Sequence, residues 1–136
     1  MDLLKKHLND DEIGLLNAIM TIIILLAAAW QTVTLALGTN HFMITIISDS
    51  MKPVFERGDI VIIKSQKNYS TYDVIAFRMG PEIYVHRIIA SQNGKFRTKG
   101  DSTAADQWAV EKEDVLGKVV LVVPRAGSLS LWLNGM

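Results

Sequence analysis

From Ile13 to Asn40 the chain carries no charged side chain across 28 consecutive residues, and no other feature constrains its fold as strongly. About 20 mostly apolar residues in a helix cross the hydrocarbon core of a bilayer. Backbone polar groups in lipid must find partners within their own segment, which makes a helix the available form for one such run. Asn17, Gln31 and several threonines are tolerable in a run of this length. Ala27, Ala28 and Ala29 offer a small-x-small site, so a removable leader is the competing reading. Two features oppose it. The apolar run continues past the alanines, and the leading MDLLKKHLNDDE has two lysines against four acids, where a leader should be basic. The expectation is a cytoplasmic segment 1–12 and a permanent membrane anchor at 13–38. Lys5 and Lys6 favour an N-terminus inside and a body outside.

Beyond Gly38 the pattern changes. MITIIS, DIVIIK, DVIAFR, IYVHRIIA, KFRTKG and GKVVLVVP are short runs rich in Ile, Val, Tyr and Phe, parted by Gly, Pro, Asn and Asp. That is a strand-and-turn grammar. Asn93-Gly94 between two such runs suits the positive φ values of a tight hairpin, and Arg57-Gly58-Asp59 and Gly80-Pro81 read as further turns. No helical period stands out from 39 to 136. The fold class is therefore mainly β: a single N-terminal transmembrane helix followed by a compact all-β domain, 39–136. The closing SLSLWLNGM is too short to span a bilayer, and either lies at the membrane interface or packs on the body.

Composition narrows the chemistry. With 14 basic and 14 acidic residues the net charge is zero, so no nucleic-acid partner is expected. There is no cysteine, hence no disulfide scaffold and no thiolate. Three scattered histidines, His7, His41 and His86, do not suggest a metal site, and no cofactor is expected. What remains is SDSMKP, residues 48–53, between two apolar runs. Serine is a weak nucleophile unless a base takes its proton, and histidine is the first candidate for that base. His86 is the histidine placed within the strand pattern, with Tyr84 and Ile88 on its face and Val85, Arg87 and Ile89 on the other. A catalytic imidazole needs an acceptor to hold its tautomer, and Asp101 and Asp106 in KGDSTAADQW can each supply one. Taken singly, these are also ordinary turn serines, strand histidines and turn aspartates.

Together the motifs resemble the type I signal peptidases of the archaeal and endoplasmic-reticulum branch. SDSMKP followed by RGDIVII resembles the nucleophile box, YDVIAF an intervening strand, YVHRII the general-base box with histidine in place of lysine, and KFRTKGDSTAAD the acidic box. The boxes occur in the family's order and cover most of residues 44–123. The resemblance implies a catalytic domain of the signal-peptidase type. It makes Ser50 the nucleophile, His86 its base, and Ser48 with the Ser50 N–H the oxyanion donors. Met51 and Pro53 would shape the nucleophile turn and the substrate contact. It further implies a membrane serine endopeptidase that removes signal peptides after a small-x-small site. Its partners would be secretory preproteins, the lipid bilayer and the protein-export channel, and its place the cell membrane with the catalytic domain outside. About a dozen residues part the anchor from Ser50, a tether that keeps the nucleophile near the membrane. The alternative is a catalytically silent anchored β module or accessory subunit, which should lack Ser50 or His86.

The chain departs from the family pattern at three points. Asp106 follows Asp101 by five residues, one fewer than usual, so either could orient His86; Asp106 is favoured, with Asp101 in a supporting role. Tyr72 stands where glycine usually precedes Asp73. The short stretch between nucleophile and base boxes leaves no room for an inserted domain. Arg87 stays protonated and cannot act as base, so it should pair with an acid. Lys64 reads as a solvated strand end, Asp49 as pointing away from its neighbour Ser50, Asp59 as a cap of the Arg57-Gly58 turn, and Asn68-Tyr69-Ser70 as an incidental glycosylation triplet.

Overall fold

A computed structural model describes residues 9–135. Lys5, Lys6 and His7, and with them most of the expected 1–12 segment, lie outside the described residues. The chain divides between Ala36 and Leu37 into two compact units. The first is dominated by helix α1, Asp10–Leu37, which has no buried residue. At 1.5 Å per residue its 28 residues extend about 42 Å. It is the one helix among the described residues long and apolar enough to cross a membrane. Asn9 and Glu12 begin it with a reciprocal cap: each backbone N–H donates to the other's side chain, at 2.9 and 2.8 Å. Gly38, at φ +65°, ends it in the left-handed conformation that glycine adopts without steric cost.

The second unit is built on a seven-stranded sheet. Its strands are β1 (Met43–Thr45), β2 (Ile60–Lys64), β3 (Val74–Met79), β4 (Glu82–Gln92), β5 (Lys95–Lys99), β6 (Ala105–Glu111) and β7 (Val115–Val123). The order is β1-β2-β7-β3-β4-β5-β6, antiparallel throughout, with β7 returning between β2 and β3. Two apolar clusters form the core. Ala76 and Val85 join Ile46, Met51, Phe55, Val61 and Ile63, while Ile75, Phe77 and Ile88 join Phe96 and Val110. Neighbours along β3 and β4 thus feed different clusters, which is why VIAF reads as an unbroken apolar run rather than an alternation. Such a strand is covered on both faces.

Mainly β with one N-terminal apolar helix is therefore the architecture, and the Asn93-Gly94 hairpin closes β4 onto β5 with φ values of 52° and 76°. Three details differ from the expected pattern. β1 stops at Thr45, because Ile46 turns into the loop that carries Ser50 while still pairing with Gly58 and Asp59. β6, ADQWAVE, was not expected as a strand: it is an edge strand with only Val110 fully buried, so it lacks apolar alternation. The closing segment forms a short helix α2, Ser128–Leu133, which buries Leu131 and exposes Leu129, Trp132 and Leu133.

Candidate active site

Ser50 sits in the loop joining β1 to β2, and His86 in the middle of β4. His86 is 7% exposed, walled by Phe77 at 6.2 Å and Tyr84 at 6.1 Å between ring centroids. Its Nε2 lies 3.3 Å from Ser50 Oγ and its Nδ1 lies 2.7 Å from Asp106 Oδ2. A carboxylate only accepts, so Nδ1–H donates to Asp106 and Nε2 is left free to accept the Ser50 hydroxyl proton. Serine contacts at such sites lengthen without substrate, and 3.3 Å falls in that range.

Sheet register explains this meeting. Arg87 pairs with Lys99, so one further step sets Gly100 opposite His86. Lys99 in turn pairs with Ala105, placing Asp106 next to Thr98. Thr98, fully buried, donates to the same Asp106 oxygen at 2.6 Å. With two donors on one oxygen, Asp106 cannot rotate freely, and the imidazole ring is held in turn. Thr98 had no role in the reading of the sequence; its signal was its place on a strand of the box carrying the acids. The glycine matters because the Ser50 loop rests where a side chain would be. A Cβ on Gly100 would lie 2.7 Å from the Ser50 carbonyl oxygen and 3.1 Å from Ser50 Cβ.

Asp101 is not at the imidazole. It forms a two-pronged pair with Arg87, from Nε at 2.8 Å and Nη2 at 2.6 Å, while Arg87 Nη1 reaches the Tyr72 carbonyl at 3.0 Å. The guanidinium holds the Asp101 carboxyl below the ordinary aspartate range, against the opposing effect of burial. Arg87 follows His86 directly, so this pair ties the β4 backbone beside the imidazole to the segment 100–103. Tyr72 has φ +76°, which accounts for the glycine usual at that place in the resembled family.

Ser48 Oγ lies 3.2 Å from Ser50 Oγ. Met51, 1% exposed, anchors the loop in the core and helps line a cleft of about 320 Å³. Ser50 and His86 line that cleft together with Ile44–Ser48, Phe55 and Glu82–Val85. Pro53, after a cis peptide bond, lines a different groove with Lys52 and Arg125. Asp49 points away from His86: its carboxylate takes the Arg57 N–H at 3.1 Å, the main cause of its lowered pKa, and pairs with Lys52 at 3.3 Å. Asp59 accepts from the Glu56 and Arg125 N–H groups, capping its turn and fastening the chain after β7 to it.

The family model described as Peptidase S24-like matches residues 24–120. A signal peptidase complex catalytic subunit SEC11 from Plasmodium falciparum is 30% identical, over 96% of this chain and 80% of its own length. The SEC11 subunit of Pyricularia oryzae is 30% identical over 77% of this chain and 71% of its own length. That of Clavispora lusitaniae is 27% identical over 78% and 74%. The chain belongs to the Peptidase S24-like family, in the endoplasmic-reticulum and archaeal branch of the type I signal peptidases.

Proposed function

We propose that Ser50, His86 and Asp106 are the catalytic residues of a signal peptidase that hydrolyses secretory precursors after a small-x-small site. The observation that carries this is the continuous chain Ser50 Oγ, His86 Nε2, His86 Nδ1, Asp106 Oδ2, at 3.3 and 2.7 Å, with Ser50 and His86 both lining one cleft. Ser50 Oγ attacks the scissile carbonyl as His86 Nε2 takes its proton. The imidazolium that forms is stabilised by Asp106. The tetrahedral oxyanion receives the Ser50 N–H and the Ser48 hydroxyl, donors aimed at charge that develops only in the transition state. Collapse breaks the C–N bond, His86 returns its proton to the departing amine, and an acyl ester remains on Ser50. Water, deprotonated by His86, then frees the signal peptide and restores the serine. Asp101 supports through Arg87 rather than touching the imidazole. Met51 helps line the cleft, and Pro53 acts on the nucleophile turn and not on substrate.

An extended precursor backbone fits the cleft because β1 is an edge strand, whose unpaired groups can bond a peptide main chain. Residues 13–38 anchor the enzyme, and 39–136 form the peptidase body. We infer a cell-membrane location with the body on the outer side, next to the export channel from which precursors emerge. Like the SEC11 relatives it would work within a membrane complex. A silent module has no use for an ordered Ser-His-Asp chain in a cleft.

The test is cleavage of a labelled preprotein by the full chain in detergent or lipid, alongside Ser50→Ala and His86→Ala. Wild-type release of a signal peptide, with loss in both variants at unchanged folding, is the expected result. Normal turnover by either variant would end the triad reading.

A further inference from the structure

The geometry points to Ser102 as a positioning residue for the oxyanion donor, a role that rests on Ser50 being the nucleophile. Ser102 touches the nucleophile loop twice. Its N–H donates to the Ser50 carbonyl at 2.9 Å, and its hydroxyl donates to the Asp49 carbonyl at 2.8 Å. A peptide unit is planar and trans. The Asp49 carbonyl therefore belongs to the same rigid plane as the Ser50 N–H and points the opposite way. Holding the carbonyl end aims the N–H end. The contact to the Ser50 carbonyl fixes the next plane, so Ser102 sets both planes flanking the nucleophile.

Ser102 is itself held firmly. Asp101 before it is clamped by Arg87, and the Gly100–Thr103 turn closes through the Thr103 N–H on the Gly100 carbonyl at 3.1 Å. The brace thus runs from the strand carrying the base to the loop carrying the nucleophile. The Asp49 carbonyl also receives the Lys52 N–H at 3.1 Å, a contact from within the loop that survives loss of the Ser102 hydroxyl. Removing that hydroxyl should loosen the donor rather than abolish it. Loss of a whole oxyanion donor lowers kcat by about 100- to 1,000-fold; loosening one should lower it by about tenfold or less.

The experiment compares wild type, Ser102→Ala and Ser102→Thr as full chains in detergent. Ser102→Ala should lower kcat with KM and the acidic limb of the pH profile unchanged, and Ser102→Thr should restore much of the loss. Amide hydrogen exchange across residues 48–52 should quicken in Ser102→Ala and not in Ser102→Thr, at equal Tm. A wild-type kcat in Ser102→Ala, a loss confined to KM, or unchanged exchange would each overturn the assignment. If wild type itself fails to cleave a precursor, the enzymatic reading fails, and the exchange comparison still decides whether Ser102 braces the loop.

Discussion

Gly100→Ala is the substitution in which packing at the site translates most directly into rate. The added Cβ would stand 2.7 Å from the Ser50 carbonyl oxygen, where ordinary contact begins near 3.4 Å, so about 0.7 Å must be found. It would also stand 2.5 Å from Thr103 Oγ1, but that hydroxyl can rotate away. The carbonyl is backbone, pinned by the Ser102 N–H, and it moves only if the Ser50 loop moves. Gly100 does not have a positive φ, so the effect is one of contact and not of backbone strain. Overpacking of this kind costs about 1–3 kcal/mol of stability, a Tm loss of several degrees in a unit of this size. A displacement approaching 1 Å between reacting groups lowers rate by up to about 100-fold. Gly100→Ala should therefore retain a folded body and lose about 10- to 100-fold in kcat. Preprotein cleavage and thermal melting measure both. Gly80→Ala and Gly94→Ala are the controls: each has positive φ with nothing within 4 Å of the new Cβ, so each should lose stability while keeping kcat. A wild-type kcat for Gly100→Ala would refute the claim that this glycine exists to admit the Ser50 loop.

Asp106→Asn should lower kcat by about 1,000- to 10,000-fold by unsettling the imidazole tautomer, while Asp101→Asn should mainly destabilise; the opposite ranking in a cleavage assay would reverse the assignment. Tyr72→Gly should raise Tm by a few degrees, since the side chain is 74% exposed and left-handed backbone in a non-glycine costs about 1 kcal/mol; a lower Tm would refute the strain argument. Asp101 is held low by Arg87, and Asp73 is lowered because Lys118 and the Ser70 N–H outweigh its burial. Their contribution to stability is thus complete above the unfolded aspartate pKa, about 4, and is lost as pH falls through the lower folded values. Acid melts should show this decline, and Asp101→Asn should show less of it.

How much of this was legible in the chain depends on whether a feature is local. An uncharged run of 28 residues declares α1 because lipid leaves the backbone no other partner. The β-branched runs and the Asn93-Gly94 turn declare strands and hairpin because their causes, steric preference and positive φ, lie within a few residues. SDSMKP and YVHRII could be read as chemistry on the same terms. Even the pairing of Arg87 with an acid follows from its permanent charge.

Other features belong to no single segment. β6 is a strand because β5 offers it a partner, and its own polar sequence did not announce it. Which acid faces His86 could not be read from spacing, since register shifts between Ile88 and Ala90 and between Arg97 and Lys99 break the simple alternation of faces. Those irregularities and the 100–104 turn bring Asp106 to the imidazole and send Asp101 to Arg87. The need for a bare Cα at Gly100, and the grip of Ser102 on the Asp49 and Ser50 carbonyls, arise from residues about 50 positions apart. The sequence by itself determined the long apolar helix, the β-branched strands and which groups are candidates for chemistry, because propensity and polarity act over short stretches. Only the tertiary structure decided which groups meet, because hydrogen-bonding distance is a property of register and packing.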